Sequence, residues 1–167
     1  MALITLDDIR TYKDVSKNIE TSAQHIDDAE LVDLKPLLGE KMYFDLVANK
    51  DETSHDILFN GGSYTYEGFE YTCPGIKMVL SEFAYARITF FGNEKSTPFG
   101  LVEKNYQDAR MATRDRTKER YTASQQIAMV IWNDVRAYLD RNYSSFQYWD
   151  GCSSKWGITG FRLTHIR

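Results

Sequence analysis

The side chains in this chain that could do chemistry are few and scattered. Three histidines, His25, His55 and His165, share no ligand spacing with one another or with the two cysteines, Cys73 and Cys152. Zinc sites pair Cys or His a few residues apart, and calcium loops alternate oxygen donors around a glycine. Neither pattern occurs here, nor does a CxxC or HExxH motif. Acid–base catalysis needs carboxylates in an apolar setting. The acidic pairs Asp7-Asp8 and Asp27-Asp28 instead fall where helix N-termini favour negative charge. Gly61-Gly62 lacks the following Gly-Lys-Ser/Thr of a phosphate loop and reads as a turn. No catalytic, cofactor-binding or metal-binding residue is therefore expected.

One cluster has a definite chemical character. Arg110, Arg114, Arg116, Lys118 and Arg120 could contact phosphates. However, Asp108, Asp115 and Glu119 are interleaved with them, and six basic against four acidic residues over 103–120 leave a balance of only +2. A solvated or subunit-facing helix surface is the plainer reading. Nucleic-acid binding through 104–120 is the alternative.

The elements that must position these residues are mainly helical. Thr5 caps a turn over 5–10, with Asp8 three residues on. Residues 11–25 are polar and unperiodic, a loop with a helical turn. Asp27 is a candidate N-cap for a helical pair, or one kinked helix, over 27–48, in which Pro36 either bends the helix or starts its second half. Residues 50–73 read as a β-hairpin or extended insert turning at Asn60-Gly61-Gly62. Pro74 opens a helix to residue 91. From Leu101 to about Asn142 neither proline nor glycine interrupts a long helical pattern, with a break possible at Thr122–Ser124. Apolar spacing places Leu34, Leu37, Leu38, Val79, Leu80, Phe83, Ile131 and Leu139 in the core, with Ile127 and Val130 on the same apolar face of the last helix. The fold class is thus mainly α: a small bundle of about four main helices, a short hairpin-like insert and an extended C-terminal tail.

Composition sets the outer bounds. A chain of 167 residues with 43% hydrophobic and 14% aromatic content makes one domain with a modest core. The N-terminus has no basic segment followed by an apolar run, and no stretch approaches the roughly 20 apolar residues of a membrane helix. The two cysteines, far apart, suit free thiols in a reducing cytoplasm, although pairing stays open. The net charge of −4 is unevenly spread. Residues 1–60 hold thirteen acidic and six basic side chains, a balance of −7, whereas residues 101–167 hold seven and eleven, or +4. Such asymmetry fits nucleic-acid contact or head-to-tail contact between identical subunits.

After Asn142 the composition changes. Phe146, Tyr148, Trp149, Trp156 and Phe161 sit among glycines and serines, with Lys155, Arg162 and Arg167 against Asp150. These aromatics either fold back on the body or anchor in a partner.

The order of several segments resembles a known family. Leu3-Ile4-Thr5-Leu6-Asp7-Asp8-Ile9-Arg10, Val15-Ser16-Lys17-Asn18-Ile19 and Leu34-Lys35-Pro36-Leu37-Leu38-Gly39 come first. Ala84-Tyr85-Ala86-Arg87, a loop ending in Pro98-Phe99-Gly100-Leu101-Val102, a polar helix and Tyr138-Leu139-Asp140 follow. Together, over roughly residues 3–142, they resemble the head-tail connector (adaptor, or head-completion) proteins of tailed phages, closest to the ring protein of crAss-like and other Bacteroidetes phages. The resemblance implies a connector domain over 1–142, with 50–73 as its insert, and a docking tail over 143–167. It implies a homo-oligomeric ring, commonly twelve-fold, below the portal of the virion neck and assembled in the host cytoplasm. Portal protein and other tail or ring proteins would be its partners, with non-specific contact to DNA in transit, no membrane and no cofactor. On that reading Arg110, Arg114, Arg116, Lys118 and Arg120 face Asp27, Asp28 and Asp33 of a neighbouring subunit. Phe146, Tyr148, Trp149, Trp156, Phe161, Arg162 and Arg167 dock on the portal or the next ring. An enzyme is not expected.

Overall fold

The structure, a computed structural model, describes residues 2–17, 22–92, 94–97, 100–103 and 114–151. Its elements run α1 (Leu6–Tyr12), α2 (Ser22–Asp28), a wide π turn (Ala29–Leu34), α3 (Lys35–Leu38), α4 (Glu40–Asn49) and α5 (Thr53–Asn60). A hairpin of β1 (Gly62–Tyr66) and β2 (Phe69–Cys73) follows, then α6 (Ile76–Phe91). A second hairpin, β3 (Glu94–Thr97) with β4 (Gly100–Glu103), precedes α7 (Arg114–Arg141) and a 3₁₀ turn (Tyr143–Ser145). The molecule is mainly helical, as the sequence leads one to expect.

Local chemistry explains the starts and stops. Thr5 caps α1 in a capping box: its hydroxyl accepts from the Asp8 amide at 3.3 Å while the Asp8 carboxylate accepts from the Thr5 amide at 2.8 Å. The helix expected to start at Asp27 starts at Ser22, so Asp27 and Asp28 lie in the last turn of α2 and cap nothing. Pro36 does not break the chain. A proline within a helix lacks an N–H and its ring strikes the carbonyl four residues back. Here the preceding turn widens, and the Lys35 amide donates to the Glu30 carbonyl, five residues away. The break comes instead at Gly39, whose φ of +79° favours glycine.

The insert divides in two. Residues 53–60 form a helix, and the hairpin occupies only 62–73. Its turn is Glu67-Gly68, with φ of 50° and 83°, rather than Asn60-Gly61-Gly62. Gly61 and Gly75 cross at the hairpin's base. A Cβ on Gly61 would stand 2.7 Å from the Pro74 carbonyl oxygen, and one on Gly75 would stand 2.5 Å from the Gly61 nitrogen.

The expected helix from Leu101 is also corrected. Residues 100–103 form a strand antiparallel to 94–97, with Glu94 opposite Glu103. A window in which ten of eighteen residues are charged has too little apolar periodicity to separate helix from strand. From Arg114 to Arg141 the helix is continuous, so Thr122–Ser124 is no break.

The core centres on α6, where Ile76, Val79, Leu80, Phe83, Ala84 and Ile88 are buried. Against it lie α1, α2, the wide turn, α5 and above all α7. Leu34, Leu38, Val79, Leu80, Phe83 and Leu139 are buried as expected, and Leu37 and Ile131 are partly so. The inward stripe of α7 is Ser124, Ala128, Trp132, Val135, Tyr138 and Leu139, while Ile127 and Val130 face solvent. Neighbours in sequence on a helix stand about 100° apart, so a face read one residue off turns its apolar positions outward.

The beginning of the tail belongs to this core. Phe146 and Trp149 are buried, which corrects their assignment as docking residues. The Phe146 ring meets His55 at 5.6 Å and Tyr138 at 5.8 Å. Trp149 packs edge-on to Trp132 and donates its indole N–H to Asp140 at 2.8 Å. Tyr148 is exposed. Trp156, Phe161, Arg162 and Arg167 lie outside the described residues. Truncating a buried Phe or Trp to Ala costs about 3–5 kcal/mol. Phe146→Ala and Trp149→Ala should each therefore lower the melting temperature by several degrees or more. Unchanged thermal unfolding in both would return these residues to a docking role.

Candidate functional site

The feature best suited to a role outside the core is the first part of α7. Arg114, Asp115, Arg116, Lys118, Glu119 and Arg120 are all exposed. With successive residues about 100° apart, their charges cover most of the circumference and leave only the side of Thr117 and Tyr121, which is half-buried, without charge. Further along, Ser124 begins the buried stripe. Tyr121, half-buried, ties the junction to α6 through a ring contact with Phe90 at 5.3 Å. At the far end Arg141 locks α7 to the first hairpin. It donates to the Tyr64 hydroxyl at 2.7 Å and lies 3.9 Å from the Tyr71 ring centre. Arg110 lies outside the described residues. A shallow open depression near the charged turns is lined by Asp115, Lys118, Glu119, Thr122, Ala123 and Gln126. It has the shape of a contact surface rather than of a pocket that encloses a substrate.

The acidic partners predicted for this surface fare differently. Asp27 is exposed and Asp28 half-buried. Asp33 is already engaged within its own chain: Arg87 Nε and one terminal guanidinium nitrogen reach its two carboxylate oxygens at 2.7 and 3.1 Å. A bidentate pair of this kind, mostly shielded from solvent, holds geometry as well as charge. Asp33 is therefore an internal anchor and not a subunit contact. The pairing spans 54 residues of sequence, so spacing gives no sign of it.

Two other polar clusters escaped sequence reasoning. Buried Glu30 accepts from the Leu3 amide at 2.8 Å and from the Tyr43 hydroxyl at 2.5 Å, joining the N-terminal segment, the wide turn and α4. Burial and the hydrogen bond to this carboxylate raise the Tyr43 phenol well above its ordinary range. His55 sits between Asp45 (3.0 Å) and the Ser54 hydroxyl (2.9 Å). The three residue types could in principle relay a proton. Yet Ser54 adjoins the histidine in sequence, and the imidazole packs on Phe146, so the cluster joins α4 to α5 and the tail. Cys73 is buried, and burial pushes its thiol up to about 11, away from the reactive thiolate. Among the described residues no three His, Cys, Asp or Glu side chains gather as a metal ligand set. No helix among them is long and apolar enough to cross a membrane.

Fold and surface together define a mainly helical bundle with its conspicuous charge at one helix end. The chain belongs to DUF6712, a family of unknown function, whose family model matches residues 34–155. No curated protein and no solved structure matches it.

His25 makes this end of the molecule sensitive to pH. It is buried in α2, stacks on Phe91 at 6.1 Å, and its Nε2 finds no hydrogen-bond partner among the described residues. Burial lowers its pKa, Asp28 partly offsets that, and Arg87 adds to the lowering. The folded state thus resists a proton that the unfolded chain takes up near pH 6.5. Stability is full above that pH and falls as the solution is acidified below it. The melting temperature should drop more steeply between about pH 7 and 5 in the wild type than in His25→Phe. Parallel profiles would remove this role.

Proposed function

We propose that the protein is a structural virion component. It forms a ring below the portal, joins the capsid vertex to the tail and surrounds the passing DNA. The observation that carries this reading is α7. Its C-terminal two-thirds pack on α6, while its first turns carry exposed charge over most of their circumference and bury none of it. A helix end with that surface is suited to meet a neighbouring subunit or a polyanion, not to shape an enclosed site. The opposed charge of the two ends of the chain supports contact between copies, and the order of segments over residues 3–142 supports the likeness to phage connectors.

In this reading the partners are further copies of the chain in a closed ring, commonly of twelve, with the portal and other neck or tail proteins above and below it. The site of action is the portal vertex, reached after assembly in the host cytoplasm. DNA in transit meets the ring without sequence preference, through charge alone. No reaction is assigned to the protein.

Exposed ion pairs contribute only about 0–1 kcal/mol each, so charge governs register and salt sensitivity more than affinity. Native mass measurement, with and without a portal protein, should give a closed multiple of the subunit mass. Arg114→Glu with Arg116→Glu should weaken that assembly at low ionic strength. A stable monomer that loses DNA binding on the same change would favour the nucleic-acid reading instead.

A further inference from the structure

Two exposed faces of the bundle combine apolar residues with charge, and their charges are opposite. The first is the solvent side of α7. Besides its buried stripe, this helix carries a second seam: Arg116, Arg120, Ala123, Ile127, Val130 and Asp134 recur at alternating intervals of four and three residues. That is the heptad spacing by which one helix packs along another. Within the seam Ile127 and Val130 are 44% and 65% exposed. Two apolar side chains held open at seam positions, between two exposed arginines toward the helix start and exposed Asp134 toward its end, leave a hydrophobic strip whose leading end is basic.

The second face lies on α2 and the wide turn. Leu31 and Val32 are 54% and 59% exposed. The extra residue in the π turn keeps Ala29, Glu30 and Leu34 buried while these two point outward. Exposed Asp27 and half-buried Asp28 precede them and exposed Pro36 follows. This strip is apolar with an acidic end. The α2 segment with its wide turn, and α7, each pack on α6 rather than on one another. The two strips therefore belong to different elements, each anchored on α6.

We infer that these strips are the two halves of one head-to-tail interface between copies of this chain. Ile127 and Val130 of one subunit meet Leu31 and Val32 of the next, and Arg120 faces Asp27. A molecule that carries complementary strips on different elements can offer one to each of two neighbours. Such heterologous contacts either close into a ring or continue as a filament. The inference rests on the ring reading and assigns its contact residues. It also replaces Asp33, which is held by Arg87, with apolar neighbours as the main source of affinity.

The test uses two variants of the full chain. Ile127→Asp with Val130→Asp disables the α7 strip, and Leu31→Asp with Val32→Asp disables the other. Since all four positions are exposed, circular dichroism and thermal unfolding should match the wild type. By sedimentation each variant alone should be monomeric, and a 1:1 mixture should give a two-subunit species and nothing larger. Should either double variant fail to fold, Arg120→Glu and Asp27→Lys serve in its place. Each alone should weaken assembly, and mixing them should restore it. A variant that keeps the wild-type assembly, or one that dimerises with itself, overturns these faces and leaves the ring reading standing. Wild-type chains that stay monomeric even with the portal overturn both. The expected mixed pair, found beside wild-type filaments that ignore the portal, sustains the faces and removes the ring.

Discussion

Helix α6 is buried around most of its circumference, yet it carries ionisable side chains at 77, 82 and 87 into surroundings with little water. A charge left unpaired in such a place is strongly destabilising. Each of the three is met by a different part of the N-terminal chain. Lys77 pairs with Asp8 of α1 at 2.6 Å, Glu82 with Lys13 just beyond α1 at 2.6 Å, and Arg87 with Asp33 of the wide turn. The partners advance in sequence as the charges advance along the helix. The N-terminal third is in effect laid along α6 from its start to its end by charge pairing, with apolar contacts filling between. Glu30 adds a fourth tie by holding the Leu3 amide and the Tyr43 hydroxyl.

The C-terminal half is held by other means. There α7 packs on α6 through small residues such as Ser124 and Ala128 and larger ones such as Trp132 and Leu139, all buried. Its end is secured by Arg141 against the tyrosines of the first hairpin, and Phe146 and Trp149 fold back over the joint. With both flanks of α6 covered, the outer sides of α2, the wide turn and α7 remain free to face other molecules. The exposed apolar residues there differ from scattered surface leucines because they occur in pairs beside clustered charge.

Much of this arrangement was legible in the sequence wherever the signal is local. Thr5 and Asp8 announce the first cap, and the apolar positions of 76–91 announce a central helix. What was not legible depends on distant partners or on geometry that no short window encodes. Arg87 and Asp33 look like ordinary surface charges until the fold joins them. A proline at 36 suggests a break, but the chain absorbs it with one wide turn and breaks at Gly39. The aromatics at 146 and 149 look like anchors for a partner because their sockets, His55 on α5 and Tyr138 and Trp132 on α7, lie on two segments far apart in sequence. On α7 the choice between Ile127/Val130 and Ala128/Trp132 as the buried face turns on one residue of phase, and small residues at the close helix contact weaken the apolar signal. The charged face of α7 over 114–120 was readable from composition alone. The opposing apolar strip at Leu31 and Val32 was not, since the same residues in a regular helix read as core.

A bundle whose central helix is tied by charge pairs and whose exposed strips are unlike suits a ring, and the likeness to phage connectors supplies the setting. The central claim is that copies join by unlike faces. It is tested most directly by placing one cysteine at Val32 and one at Val130 in a Cys152→Ser background and treating the assembled protein with a short bis-maleimide. The account predicts that the chain with both engineered cysteines gives a ladder of covalent multimers ending in one closed species, while each chain with one engineered cysteine stays monomeric on a denaturing gel, native Cys73 being buried in all of them. Covalent dimers from a chain with one engineered cysteine would contradict it, because they would mean that like faces meet.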